Sequence, residues 1–241
     1  MRFFIPLPLT AHREIELPDE VTHHLVRVLR SEVGIRFFLF NGNGGMYEAE
    51  LIEAGKKQAR ARLLDFHPDD CESPLHTHLG QVMSKGDRMD YALQKATELG
   101  VTEITPLTSE RCELRLRGEE RADKKREHWR RVVISACEQC GRNRLPVIHE
   151  LRPVSEWLTT CQAEQRLILT PAAARGLPAI NAPARSVALL IGPEGGLSAH
   201  EIAAAENAGF LPWQIGPRVM RTETAPVAAL AILQANWGDF R

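Results

Sequence analysis

The sequence predicts a two-part α/β protein, a small all-β module followed by a larger domain built on a parallel sheet. Three observations carry this. The first seventy residues hold short runs rich in Val, Ile, Phe and Leu, two of them joined by a glycine turn. From residue 78 onward, short apolar strands alternate with helical patterns, as crossover connections require. Between the two lies HPDDCESPLHT at 67–77, which lacks periodicity and carries two prolines beside Asp69, Asp70 and Glu72. The boundary falls there, giving domains at 1–70 and 74–241, and the 241 residues suit two domains at roughly 100–200 residues each.

In the first module, 2–5, 35–40, 46–52 and 59–66 read as strands of a small barrel. The last alternates Arg60 and Arg62 with Ala61 and Leu63. NGNGG at 41–45 supplies residues that tolerate positive φ, the requirement of a hairpin. It is not a dinucleotide fingerprint, because Tyr47 takes the sixth position and a strand follows where a helix is needed. PDEVTHHLVRVLRSEVG at 18–34 predicts a helix whose inward stripe is Val21, Leu25, Val28 and Leu29. His23, His24, Arg27 and Arg30 fall on its outward face, either a solvated face or one that touches phosphates.

In the second domain, strands are expected at 78–84, 104–107, 166–170, 187–191 and 213–215. The first helix begins at Asp87, a candidate cap, runs its stripe through Met89, Ala92, Leu93, Ala96 and Leu99, and stops at Gly100. The next carries Trp129, Val132, Val133, Ala136, Cys137 and Cys140 on one face, so the single CxxC reads as two core positions. The five cysteines are odd in number and scattered, which fits reduced thiols; with no second CxxC or HxxxH, no metal site is expected. No stretch approaches a membrane span and the amino terminus is no signal peptide, so the expected location is cytoplasmic and no membrane partner is expected.

Thirty basic against 31 acidic residues give a net charge of −1, which argues against binding by bulk positive charge. Its distribution argues otherwise. Residues 109–145 hold eleven basic and seven acidic residues, a local balance of +4. Pairs such as Lys124 with Glu120 account for part of this, but Arg111, Arg115, Arg117, Arg142 and Arg144 lie where acids are sparse.

The carboxyl-terminal quarter is the most informative. The apolar strand at 187–191 runs into GPEGGLSAHEI, where Ser198 and Glu201 form a capping box for a helix ending at Gly209. The strand at 213–215 runs into GPRVMRTETAP and then a helix from Ala225, apolar nearly all round through Leu233. Glycine loops at the carboxyl ends of neighbouring strands meet where open α/β sheets bind ligands, and Arg218, Arg221 and Glu223 would project there. Neither loop has the P-loop or Rossmann spacing.

MDYALQKATELGV at 89–101, EQCGRNRLPVI at 138–148, LIGPEGGLSAHEI at 190–202 and IGPRVMRTETAPVAAL at 215–230, together with HHLVRVLR at 23–30, resemble the motifs of the RsmE family across the whole chain. These are small-subunit ribosomal RNA uridine N3-methyltransferases of the SPOUT superfamily. The resemblance implies a PUA-like RNA-binding β-barrel at 1–70 and, at 74–241, a SPOUT α/β domain with a deep trefoil knot that binds S-adenosylmethionine and forms a homodimer. It implies a substrate in 16S ribosomal RNA, within the small subunit.

By position, the cofactor would meet Leu169, Thr170 and Pro171, then Ile191, Gly192 and Gly196, then Ile215, Gly216, Met220, Arg221, Thr222 and Ala225. Arg221 and Glu223 would stand at the reacting centre; His24, Arg27, Arg30, Arg111 and Arg142 would contact RNA. Ser often stands in the family where Cys112 and Cys140 stand here, which speaks against a catalytic thiol. Uridine N3 carries a proton, so Arg221 is expected to stabilise the developing charge and Glu223 to orient it or take the proton. His149 is a base by residue type only. Two rival readings are a non-catalytic RNA-binding assembly factor, which would not need paired glycine loops, and a thiol oxidoreductase using Cys137 and Cys140.

Overall fold

The computed structural model describes residues 1–55, 57–113, 119–171 and 184–240. Arg115 and Arg117 of the basic stretch lie outside them. The chain divides into two compact units, one of residues 1–72 with 137–145, the other of 73–136 with 146–241.

In the first unit, β1 (Arg2–Phe4), β3 (Arg36–Phe40), β4 (Met46–Ala54), β5 (Ala59–His67) and β2 (Glu14–Glu16) pair in the order β1-β3-β4-β5-β2. Phe3, Phe37, Leu39, Ala49, Leu51, Ala61 and Leu63 from these strands share one core with Leu17, Val21 and Leu25. The expected alternation holds in β5: Ala59, Ala61 and Leu63 are buried while Arg60 and Arg62 face solvent and each meets Glu14 across the β5–β2 pairing at 3.0 Å. The NGNGG hairpin joins β3 and β4, with Gly42, Gly44 and Gly45 all at positive φ.

The helix at 18–34 departs from expectation. Only α1 (Asp19–Thr22) is α-helical; His23–Val28 is a π-helix, sealed by Leu29 N–H donating to His24 O at 2.9 Å. The wider turn rotates later residues off the α-helical stripe. Leu25 stays wholly buried, but Val28 and Leu29, expected inward, are 57% and 42% exposed. His23, His24, Arg27 and Arg30 do face solvent.

The second unit is an all-parallel sheet of β12 (Leu211–Trp213), β10 (Gln165–Leu169), β11 (Ser186–Ile191), β6 (His76–Val82), β7 (Glu103–Thr108) and β8 (Val147–Ile148), in that order, with β9 (Arg152–Pro153) also on β7. Central β11 is buried from Val187 to Ile191, which explains its unbroken apolar run. Helices α2 (Arg88–Glu98), α3 (Glu119–Cys140), α4 (Val154–Thr160), α5 (Ala199–Asn207) and α6 (Thr224–Trp237) complete the described elements. β2, β8, β9 and α4 are too short to leave a periodic signature. Asp87 starts α2 without a side-chain cap bond, whereas the Ser198–Glu201 capping box of α5 is present in full.

The last strand ends at Trp213, two residues before the expected 213–215, so Ile215 belongs to the loop. Helix α6 packs on α2 and buries Ala225, Ala229, Leu230, Leu233 and Gln234. Pro226 is tolerated because it sits in the first turn, where no intrahelical N–H bond is lost.

Candidate functional site

The loops that follow β10, β11 and β12 close around one cavity of about 770 Å³. Leu169, Thr170 and Pro171 come from the first, Ile191, Gly192 and Gly196 from the second, and Ile215, Gly216, Met220, Arg221, Thr222 and Ala225 from the third and the start of α6; all twelve line it. Much of the wall is apolar, with Leu197, Ile202, Trp213 and Val219 added. Gly196 and Gly216 have φ of +68° and +117°, and a Cβ at either would meet nothing within 4 Å. The space a side chain would take is therefore open to whatever fills the cavity, although the Gly196 N–H itself donates to Pro193 O at 2.9 Å.

Hydrogen bonds fix the loops to one another. Gln81, fully buried in β6, donates from Nε2 to Thr222 Oγ1 at 3.2 Å and to Val82 O at 3.1 Å. Thr222 Oγ1 in turn donates to Gly192 O at 2.9 Å, so one chain of bonds joins the second glycine loop to the first. Arg88 Nη1 reaches Glu194 Oε1 at 2.8 Å, and Lys85 N–H donates to the same oxygen at 3.2 Å. Burial raises the Glu194 carboxyl, but its own backbone N–H, Arg88 and the Lys85 N–H outweigh that and hold its pKa below the ordinary glutamate value. Glu201 uses both oxygens, accepting from Ser198 N–H at 2.9 Å and from Glu110 N–H at 2.9 Å.

Gln81, Arg88 and Glu194 were not among the sequence candidates. A glutamine in an apolar strand and a charged pair 106 residues apart leave no local signal; only the fold brings them together.

Arg221 is exposed on the cavity rim, and its carbonyl accepts from Thr224 and Ala225 N–H at 3.0 Å, starting α6. Glu223 also lines the cavity; its Oε2 is buried with no hydrogen-bond partner, and no ion pair joins it to Arg221 among the described residues. Arg218 lines the same rim.

The residues expected on RNA are scattered. His24, Arg27 and Arg30 are exposed in the first unit. Arg111 lines the cavity instead, its guanidinium donating to Gly195 O at 3.1 Å. Arg142 is a correction: it is 3% exposed, and Nε and Nη2 meet Glu72 at 3.0 and 2.6 Å, so it is committed inside the protein and cannot contact RNA.

His149 does not line the cavity; it lies 2.6 Å from Glu103 Oε2, with its ring tilted at 38° to that of His78, whose imidazole burial pushes down to about 4 against the pull of Glu103. Cys137 is wholly buried, and burial pushes its thiol up to about 12, which speaks against the thiol oxidoreductase reading. No described helix is long and apolar enough to cross a membrane.

Residues 71–234 match the RNA methyltransferase domain family, and 17–64 match the RNA methyltransferase PUA domain. Ribosomal RNA small subunit methyltransferase E of Buchnera aphidicola is 37% identical over 99% of this chain and 97% of its own. Among solved structures, the ribosomal RNA small subunit methyltransferase E of Neisseria gonorrhoeae bound to S-adenosyl methionine is 41% identical, with a TM-score of 0.92 over 100% of this chain and 99% of that one. A putative methyltransferase of Legionella pneumophila, also in complex with that cofactor, is 39% identical with a TM-score of 0.92 over 99% of this chain and 98% of that one.

Proposed function

The chain belongs to the ribosomal RNA small subunit methyltransferase E family, and on that premise we propose that it transfers a methyl group from S-adenosylmethionine to N3 of a uridine in 16S ribosomal RNA. The observation that carries this is one shared cavity formed by three loops at the carboxyl ends of β10, β11 and β12, with Gly196 and Gly216 leaving open the space a side chain would fill. An adenosine and an amino-acid tail suit such a site, with apolar walls for the base and glycine backbone that a ligand can approach closely. Bound there, the cofactor supplies an electrophilic methyl on its sulfonium.

This chain's residues supply position and charge. The Gln81–Thr222–Gly192 bonds hold two of the three loops at fixed spacing, and positioning is the main protein contribution to an in-line transfer. Arg221, exposed on the rim, stabilises negative charge on the uracil oxygens as N3 loses its proton. Glu223 offers its unpartnered Oε2 as the acceptor of that proton.

The same reading assigns RNA holding to 1–70, with His24, Arg27 and Arg30 on phosphates and Arg111 at the cavity, and assigns catalysis, a deep trefoil knot and a homodimer contact to 74–241. The apolar and half-buried Val227, Ala228, Ala231 and Ile232 of α6, with Tyr91 47% exposed, support the dimer. The substrate lies within the small subunit, in the cytoplasm. Mass spectrometry of small-subunit RNA from cells with and without the gene tests the reading: N3-methyluridine should disappear with the gene, and an unchanged profile refutes it. Arg221→Ala should bind cofactor normally and lose methylation; full methylation by that variant would remove Arg221 from the mechanism.

A further inference from the structure

At the amino-terminal ends of β6 and β7, beside short β8, lies a set of groups that methyl transfer does not use. Parallel register sets His78 level with Glu103, so both side chains share one face of the sheet. His149 follows directly on Ile148, the partner of Ile104, and its N–H donates to Ile104 O at 2.9 Å. That step brings the third side chain to the same place. His149 Nε2 lies 2.6 Å from Glu103 Oε2, His78 Nδ1 lies 4.0 Å from that oxygen, and one donor atom from each of the three lies within 4.8 Å of the other two.

We propose that His78, Glu103 and His149 bind a divalent transition metal ion of the Zn²⁺ type, with water completing the coordination. Two imidazoles and a carboxylate are the donor set such ions take at about 2.0–2.2 Å, whereas Mg²⁺ and Ca²⁺ take oxygen alone. Donors around a tetrahedral ion at those lengths are roughly 3.4 Å apart, so the present 2.6 and 4.0 Å bracket the required spacing. A small rotation of Glu103, which is 26% exposed, evens them out.

The surroundings are those of a supported site. His78 Nε2 lies 2.8 Å from Thr105 Oγ1 and accepts from the Trp157 indole N–H at 3.3 Å; with a metal on Nδ1 the proton moves to Nε2, Thr105 Oγ1 accepts it, and the Trp157 contact is given up. His76 Nε2, 3.1 Å from Glu103 Oε1, steadies the second carboxylate oxygen. Arg152, the cation whose charge reaches His78, is paired with Glu156 at 3.5 Å. His149 is 33% exposed, which gives an ion its entry path. The role that follows is a staple: β8 is two residues long, and an ion joining His149 to β6 and β7 would pin it to the sheet.

Calorimetric titration of ZnCl₂ into the tag-free full-length chain tests this. One ion per chain is expected, with Kd raised about 30-fold by Glu103→Gln and by His149→Asn, since loss of a ligand or its support weakens such sites about 10–100-fold. Zn²⁺ should raise the melting temperature of the wild type and not of those variants. Cys71 is an exposed free thiol and a competing zinc ligand, so Cys71→Ser should leave Kd unchanged. Wild-type binding no tighter than that of the Glu103→Gln/His149→Asn double variant overturns the proposal, as does binding lost in Cys71→Ser but kept in His149→Asn. S-adenosylmethionine binding by each variant reports folding through a separate site.

Discussion

Replacing Thr222 with Val keeps the shape of the side chain and removes the hydroxyl that joins the two glycine loops. That hydroxyl accepts from Gln81 Nε2 at 3.2 Å and donates to Gly192 O at 2.9 Å. Neutral bonds of this kind contribute about 1 kcal/mol each, and a buried donor left unmatched costs about 1–3 kcal/mol. Gln81 is wholly buried and retains only its bond to Val82 O, so the donor that faced Thr222 has no water to turn to. The sum is about 2–4 kcal/mol, roughly a 5–15 °C fall in melting temperature for a unit of this size. Because the same bonds set the cavity's width, the Kd for S-adenosylmethionine should rise about 10-fold or more, the equivalent of about 1.4 kcal/mol. Differential scanning calorimetry and titration calorimetry measure the two. A Gln81→Met/Thr222→Val pair removes donor and acceptor together and should be less destabilised than the sum of the singles by about 1 kcal/mol or more. If Thr222→Val melts and binds like the wild type, or the double variant is strictly additive, the hydrogen-bonded chain does not organise the cavity.

Arg142→Ala should lower stability by about 3 kcal/mol in urea unfolding, because it strands the Glu72 carboxylate now held at 2.6 Å. Arg27→Ala with Arg30→Ala, on an exposed face, should leave stability within about 0.5 kcal/mol and instead weaken RNA binding and flatten its salt dependence by about one or two units of slope in a filter-binding series. Arg88→Ala breaks a pair that is 42% and 36% exposed, so melting should shift little while cofactor Kd rises about 2–5-fold, the loss expected of one solvent-facing contact at a binding loop. With Ellman's reagent at pH 8, exposed Cys71 should react first and Cys137 only on unfolding. The folded Cys137 pKa, about 12, lies above its ordinary 9.0, so burial of the neutral thiol stabilises the fold below pH 9 and that contribution fades as pH rises from 9 toward 12. Cys137→Ala should accordingly shallow the alkaline limb of a stability–pH curve.

What could be read in the sequence was what local chemistry encodes. The buried strand β11 announces itself by an unbroken apolar run, and the loops after β11 and β12 by glycine beside proline. Ser198 and Glu201, three apart, give their capping box away. The illegible parts depend on distance or on small deviations from regularity. Nothing in HHLVRVLR distinguishes a π-turn from an α-turn, yet that difference exposes Val28 and Leu29. Arg142 looked like an unpaired cation because its partner, Glu72, lies 70 residues earlier in the linker. The His78, Glu103 and His149 set is drawn from two strands and the residue just after a third, so no ligand spacing in the sequence reports it.

Glu201 leaves one matter of sequence tolerance. Both carboxylate oxygens receive backbone N–H groups, one at the start of α5 and one from Glu110 beyond the end of β7. Glutamine, its nearest relative in size, would set an amide NH₂ against one of those N–H groups, donor facing donor, and aspartate would fall short by a methylene. The genetic code offers the position several single-base neighbours, but the geometry accepts almost none of them. The wall of the cavity is thus anchored at a residue that lines no part of it, and a reader seeking drift-resistant positions by proximity to the cofactor would pass it over.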